Sequence, residues 1–463
     1  MKEVFLWTPF KNFKKYYLSM FSKVFEIPKN FFQKVLWWGA GVKPLPDKPK
    51  FESRIMLLTH KETTMQDKLI IRDLAKRYME LATSDAQQKA NRRMKATNDL
   101  KIVRPPVLID EIPWHELACE DLTLLCEDGR CRSVEWVLRT ALYRKKYFKC
   151  DVIMPAEWTV RMSYSLNPLG LTASETRADG KGIGYADVME DEACLEKINP
   201  PVLKAHPENN EAAMAFYTDL FGDSMPVRLA GVDYLYSAFW DILTRLRGVE
   251  PIFEDMYDRP EYLHSIMEKM VARTTAQLDF IEAHLHVDPT IQNLHCTPAA
   301  VSGLAEDGLK ATWYRGMAQS FSSISPAMFK EFELDYILPL ASRFGYTYYG
   351  CCEPLDDRIE LLKTIPNLRK VGCSPWANPE KCAEQLKGDY VLSRKPNPSH
   401  VAHATDPALI RREAEESVKA ALKYGCPMDY VLKDITTVSR KPQNLILWAE
   451  TVSDVMDEYY GAD

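Results

Sequence analysis

From about residue 250 onward the chain repeats one local grammar: a proline-marked helix start, an amphipathic run, then a short apolar segment. Asp258 with Pro260, Ser325 with Pro326, Asn378 with Pro379 and Asp406 with Pro407 each set a side-chain acceptor beside a proline, the combination suited to a helix's first turn. Gly345, Gly388 and Gly425 close three of these helices; "DDRIELLKTI" is a further one, and the last begins near Pro442. Between them "YTYYG", "LRKVGC", "DYVLSR" and "MDYVLKDI" read as strands, and "DPTIQNLHC" after the helix that ends near Ala283 enters another. Strand and helix alternating over short connections require a parallel sheet with helical crossovers. The sequence holds no glycine-rich phosphate loop and no GxGxxG. A closed (β/α)8 TIM barrel is therefore the expected α/β architecture rather than a dinucleotide-binding open sheet.

The first hundred residues differ in character. Residues 1–50 are rich in lysine and aromatics, with Phe10, Phe13, Tyr17, Phe21 and Phe25 spaced three or four apart on one helical face behind Thr8 as a cap, and a second helix from Pro28 to Gly39. Such a stripe needs a partner: the main domain, a second subunit, a membrane surface or another protein. "GVKPLPDKPK" at 41–50 reads as a linker, residues 51–100 as a helical lead-in, and 101–463 as the barrel domain, opening on the strand in "RPPVLIDEIPW".

Net charge of −6 gives no basic footprint for nucleic acid. The start, "MKEVFLWTPFKNFKK", interrupts its apolar residues with lysines, so neither a secretory h-region nor a transmembrane segment is expected, and the cytoplasm is the expected location. Eleven cysteines, an odd number without secretory context, read as reduced thiols.

Barrel chemistry gathers at the C-terminal ends of the strands. Those positions hold His295 and Cys296; Cys351, Cys352 and Glu353; Cys373 and Ser374; and Arg394, Lys395 and Asn397, while Glu111, Trp114 and His115 follow the early strand. Thiolate and imidazole are zinc ligands, and a catalytic zinc keeps one position open. Cys351, Cys352 and Cys373 are the metal-ligand candidates, three ligands being drawn from His295, Cys351 or Cys352, and Cys373, with each cysteine weighed against burial as plain core. Glu353 and His295 are catalytic candidates, Glu353 as a general acid or as an ion-pair partner of Arg394 or Lys395. His284, His286, His400 and His403 read as surface or capping groups, and "CEDGRC" as an Asp128-Gly129 hairpin turn with structural cysteines.

"GCCEPLDDR", with "SISPAMFKEFELDYILPL" before it and "SPWANPEK" and "SRKPNP" after it, resembles the uroporphyrinogen decarboxylase superfamily. More particularly, it looks like the branch of corrinoid-dependent methyltransferases that demethylate methoxylated aromatics. "VLIDEIPWHEL" and "LRGVEPIFEDMYDRPEYLHSIM" extend the resemblance over roughly residues 100–460. It implies a TIM barrel, a small methoxylated substrate, and cobalt(I) of a corrinoid (cobalamin) carried by a separate corrinoid protein. The cobalamin-carrier motif Asp-x-His-x-x-Gly is absent from this chain. On that reading Glu353, His295 or Tyr348 assists the leaving aryl oxide, and Glu111, Trp114, Gln319, Phe321, Trp376, Lys395 and Asn397 line the substrate site. Zinc is the other cofactor the resemblance allows, and a homodimer is allowed for.

Two departures bear on this. The arginine-rich segment that holds porphyrinogen carboxylates has no match, which disfavours decarboxylation. The His-x-Cys zinc pattern of the coenzyme M methylating branch is replaced by Tyr349, Gly350, Cys351 and Cys352. The alternative readings are a zinc-dependent methylcobamide:thiol methyltransferase and a non-catalytic barrel that binds a partner.

Overall fold

The computed structural model describes residues 63–461 except 178–182, 291, 403 and 404. The aromatic N-terminal stripe, the linker and His403 lie outside the described residues. The lead-in forms two helices, α1 (Met65–Ala82) and α2 (Asp85–Asn98), because Ser84 breaks the run and caps α2 by accepting from Gln87 N–H. Helix α3 (Gly129–Tyr147) follows, and here the structure corrects the sequence reading. Asp128 is the N-cap of α3, accepting from the N–H groups of Arg130 and Cys131, and makes no hairpin turn. An Asp-Gly pair serves either purpose, and the amphipathic run behind it decides.

Seven strands form one parallel sheet: β1 (Val107–Ile109), β2 (Tyr234–Ser237), β3 (Trp313–Gly316), β4 (Tyr346–Tyr349), β5 (Leu368–Cys373), β6 (Val391–Arg394) and β7 (Met428–Leu432). Their spatial order is β1-β7-β6-β5-β4-β3-β2, so from β2 to β7 each strand lies beside its predecessor. This is the winding of a barrel, and β1 joins β7 with Val107 opposite Tyr430. Against the expected closure, the hydrogen-bonded ladder does not run between β1 and β2. The segment after α3 comes alongside β1 there, with Asp151 N–H donating to Val107 O, but forms no regular strand. A cleft of about 390 Å³ opens along that seam, lined in part by Leu108, Asp110, Ile153, Tyr234 and Cys296.

The expected helices fill the outside. Helix α4 (Pro260–His284) starts after Arg259, since Asp258 ends the preceding helix Val249–Asp258. Ser325, Asn378 and Asp406 cap as expected, the last two opening α5 (Pro379–Leu386) and α6 (Pro407–Tyr424). Gly425 ends α6 in the left-handed region at φ 64°, and α7 (Gln443–Tyr460) closes the described chain.

Strand pleating sorts the residues into two faces. Leu235, Tyr314, Tyr349, Val371, Cys373, Leu392, Tyr430 and Leu432 join the main apolar core under the helices. Their alternates on the inner face include Trp313, Arg315, Tyr348, Lys370, Ser393, Asp429 and Val431. A short hairpin, Asn293–Leu294 paired with Thr297–Pro298, covers that inner face. Its turn sets His295 at φ 58°, so the "DPTIQNLHC" segment folds back as a hairpin instead of adding a strand to the sheet. Lys370 and Asp429 are fully buried beneath it and ion-paired at 2.8 Å; Thr297 and Ser393 donate to the same carboxylate at 2.7 and 2.6 Å.

Candidate active site

The loop after β4 is where the local chain geometry is tightest. Gly350 sits at φ 115° with its N–H donating to Gly316 O. A Cβ there would meet Leu355 Cδ1 at 2.8 Å and the Gly372 backbone at 3.3 Å, so only glycine turns the chain at this point. The turn delivers Cys351, Cys352 and Glu353 to the carboxyl end of the sheet. Glu353 then points inward, 2% exposed, and accepts from Cys351 N–H at 3.0 Å and Ala318 N–H at 3.2 Å. It thereby ties the loops after β3 and β4 together. Burial, with the neighbouring Cys351 thiol, pushes its carboxyl up to about 7.

Above it lies a cluster from four segments. Lys433, just past β7, places Nζ 3.4 Å from Cys351 Sγ, 2.8 Å from Asp434 Oδ1 and 3.7 Å from Glu111 Oε2. Cys352 Sγ lies 3.6 Å from Cys351 Sγ and donates to Asp434 Oδ2 at 3.1 Å. Asp434 N–H in turn donates to Glu111 Oε2, and Glu111 Oε1 is 4.0 Å from His295 Nε2. Glu111, His295 and Asp434 all carry positive φ, which marks three tight turns converging on one spot. Cys352, with His295, Lys433 and Arg315, holds the Cys351 thiol well below the usual thiol range despite burial. The Cys352 thiol is pushed up correspondingly, which agrees with its role as donor. Burial would lower the Lys433 ammonium, but the facing thiols, Cys351 first, and Asp434 keep it raised. Burial and Asp434 raise the Glu111 carboxyl. The cluster thus sets a thiol held below its ordinary range against an ammonium held above its own, surrounded by groups that can hold or give protons.

The other residues singled out in the sequence fall in several places. Tyr348 is fully buried on the inner face, its hydroxyl without a hydrogen-bond partner among the described residues. Lys395 donates to Ser393 Oγ at 2.5 Å and stands 3.8 Å from Asp429 Oδ1, joining the interior ion pairs. Arg394 pairs with Glu413 on α6, so neither basic residue meets Glu353. Gln319 donates to Asp241 at 2.8 Å. Phe321 is packed against Trp240 at 4.3 Å between ring centroids, and Trp114 sits edge-on to Trp136 and Tyr143. Trp376 is 51% exposed, and Asn397 accepts from Ser399 N–H in the turn after β6.

Cys373 is not brought to Cys351 and Cys352. Strand parity turns it to the helix face, where its sulfur lies 3.8 Å from Arg394 Nη1 and beside Cys382. Among the described residues no group of three or more His, Cys, Asp or Glu side chains is placed to hold a metal ion, and His295, Cys351 or Cys352, and Cys373 are not brought together as one ligand set. Lys433 and Asp434 were passed over in the sequence, although "DYVLKDI" sets them just past an apolar strand, the same position that singled out the cysteines. Arg315 gave no such signal, since "TWYRGM" does not announce which residue faces inward.

No protein-family model matches the sequence, and no curated protein matches it. A solved structure, a methyltransferase from Methanosarcina mazei, is similar over 80% of this chain and 99% of its own, at 12% identity and a TM-score of 0.43. A likeness at that level assigns neither family nor activity. No helix among the described residues is long and apolar enough to cross a membrane.

Proposed function

We propose that the chain is a methyltransferase that moves a methyl group from a small methoxylated aromatic compound to the cobalt(I) of a separate corrinoid protein. The observation that carries this reading is the Lys433 ammonium held among Cys351, Asp434 and Glu111 at the carboxyl end of a parallel sheet. Cobalt(I) on the partner supplies the nucleophile, so this chain needs no base. What it must supply is orientation of the ether and a proton for the departing aryl oxygen.

Lys433 Nζ keeps its own proton and is suited to balancing the charge that builds on the departing oxygen, being cationic and held among three partners. His295, at the edge of the same cluster, can supply the proton. Asp434 and Glu111 fix the ammonium's position and keep its charge balanced. Glu353 acts beneath them by fastening the loops that present Cys351. The sequence segments that resemble corrinoid-dependent methyltransferases meet at this cluster, since "VLIDEIPWHEL" contributes Glu111 and "GCCEPLDDR" contributes the cysteines and Glu353.

The test is a demethylation assay with purified protein, a reduced corrinoid protein and a panel of methoxylated aromatics. Phenol release is measured together with the change in the corrinoid's visible spectrum. Phenol release that depends on the corrinoid protein supports the reading, and its absence for every donor sinks it.

A further inference from the structure

Cys351 and Cys352 follow one another in the chain, yet their sulfurs turn toward each other and lie 3.6 Å apart. The turn at Gly350, and the Glu353 carboxylate that accepts from Cys351 N–H, hold the loop in that form. The two sulfurs have different surroundings. Cys351 Sγ has Lys433 Nζ at 3.4 Å and is the counter-charge of the buried Arg315 guanidinium, so two cations face it. Cys352 keeps its proton and donates to Asp434 Oδ2 at 3.1 Å, which leaves a carboxylate in contact to receive that proton. Methyl transfer to a partner's cobalt gives neither sulfur a bond to make.

Cations beside a thiol raise its thiolate fraction, and the thiolate is the form that attacks. A second thiol within 3.6 Å, already bonded to a base, is placed to capture the first sulfur once that sulfur is oxidised. Core packing alone asks for neither the cations nor the carboxylate. The cluster also opens to solvent: the His295 and Glu111 side chains at its rim are 31% and 37% exposed, and Cys352 itself is half-buried. An oxidant of two oxygen atoms reaches the sulfurs past polar side chains, not through the apolar core.

We infer that Cys351 and Cys352 form a peroxide-reactive dithiol, with Cys351 as the attacking sulfur and Cys352 as the resolving one. The Cys351 thiolate attacks one oxygen of hydrogen peroxide: the S–O bond forms, the O–O bond breaks, and the departing hydroxide takes a proton from solvent, leaving a sulfenic acid and water. Cys352 then gives its proton to Asp434 and attacks the Cys351 sulfur. The S–S bond forms, the S–O bond breaks, and the proton leaves with the second hydroxide as water. One peroxide and two thiols thus become one disulfide and two waters. A disulfide between chain neighbours is strained and therefore easily reduced, which makes the change reversible. While it lasts, Lys433 and Arg315 lose the charge they share.

The experiment exposes the reduced full-length protein to a few equivalents of hydrogen peroxide, followed by catalase, denaturation in iodoacetamide and trypsin. Residues 344–358 form one tryptic peptide that holds both cysteines and no other. This peptide should become lighter by two hydrogens and take up no label, and dithiothreitol should restore both labelling sites. It should react roughly tenfold faster than the exposed Cys119, because thiolate character outweighs exposure. Cys352→Ser should stop at a sulfenic acid on Cys351 that dimedone traps, and Cys351→Ser should leave Cys352 reduced at the same dose. Three results overturn the dithiol: a peptide that gains oxygen without forming a disulfide, one that stays reduced while Cys119 reacts, or a Cys351→Ser protein in which Cys352 is oxidised as fast. Should a serine variant fail to fold, the mass change in wild type and its reversal decide alone. Phenol release by a protein whose dithiol is unreactive removes this inference and leaves methyl transfer, and a reversible disulfide without phenol release does the opposite.

Discussion

Lys433 Nζ lies 3.4 Å from Cys351 Sγ although their parent strands, β7 and β4, are separated in the sheet by β5 and β6. The contact exists because the strand-end loops lean inward over the sheet's inner face. It joins an ammonium held above its ordinary range to the thiol held furthest below its own. Neither residue would hold its charge state alone in that setting.

Lys433→Met should therefore lower demethylation by roughly 10²- to 10³-fold, the usual worth of one charge or donor aimed at a developing oxyanion. The same change removes a cation from Cys351, so the thiol should move back toward the ordinary value near 9.0. Iodoacetamide labelling of Cys351 followed against pH checks this. Wild type should label at lower pH than the variant, which should need a more alkaline solution; superimposable profiles would show that Lys433 does not lower the thiol.

Glu353 makes stability depend on pH in a defined direction. Its folded-state carboxyl titrates at about 7 against 4.5 unperturbed, so its contribution to stability is complete below 4.5 and lost as pH rises through 7. The difference of 2.5 units corresponds to about 3 kcal/mol. Glu353→Gln abolishes this dependence but sets an amide NH₂ against one of two backbone donors, at a cost of roughly 1–3 kcal/mol. Urea midpoints should fall more steeply between pH 4.5 and 7.5 in wild type than in the variant, and parallel curves would assign the carboxyl's environment incorrectly.

The interior Lys370–Asp429 pair should behave as a unit. Asp429→Asn alone leaves both Lys370 and Lys395 buried and uncompensated and should cost about 3–5 kcal/mol, more than Lys370→Met, which leaves Asp429 paired with Lys395. The double variant should be less damaging than the sum of the two. A double-mutant cycle by chemical denaturation reads this directly, and strict additivity would mean that the two charges are balanced independently.

Asp128→Ala removes the acceptor for two N–H groups in the first turn of α3. The expected loss is about 1 kcal/mol, seen as a lower melting temperature. Asp128→Ser should recover most of it, whereas a turn role would require Gly129 and tolerate little at 128.

The helix starts were legible because capping is local. Ser325, Asn378 and Asp406 accept from N–H groups two or three residues ahead, an arrangement that depends on nothing distant. The positions of β1 and of β4 to β7 followed from the same punctuation, whereas β2 and β3 lay in stretches that gave no such signal. The failures came where one local signal serves two structures. Asp128 with Gly129 suits a hairpin or a helix cap, and the segment around His295 suits a strand or a hairpin whose turn needs positive φ.

What the sequence determined by itself is the parallel α/β design and the loops that carry its polar groups, because periodicity and caps are properties of neighbouring residues. Tertiary structure alone decided which strand-end residues meet. Pleat parity turned Cys373 to the helices and left Arg315 facing inward with Cys351 as its counter-charge. The fold of the β4 loop at Gly350 set Glu353 beneath Cys351 and Lys433 above it. A side chain's face depends on where a strand begins to pair, and that register is fixed by contacts between segments far apart in the chain.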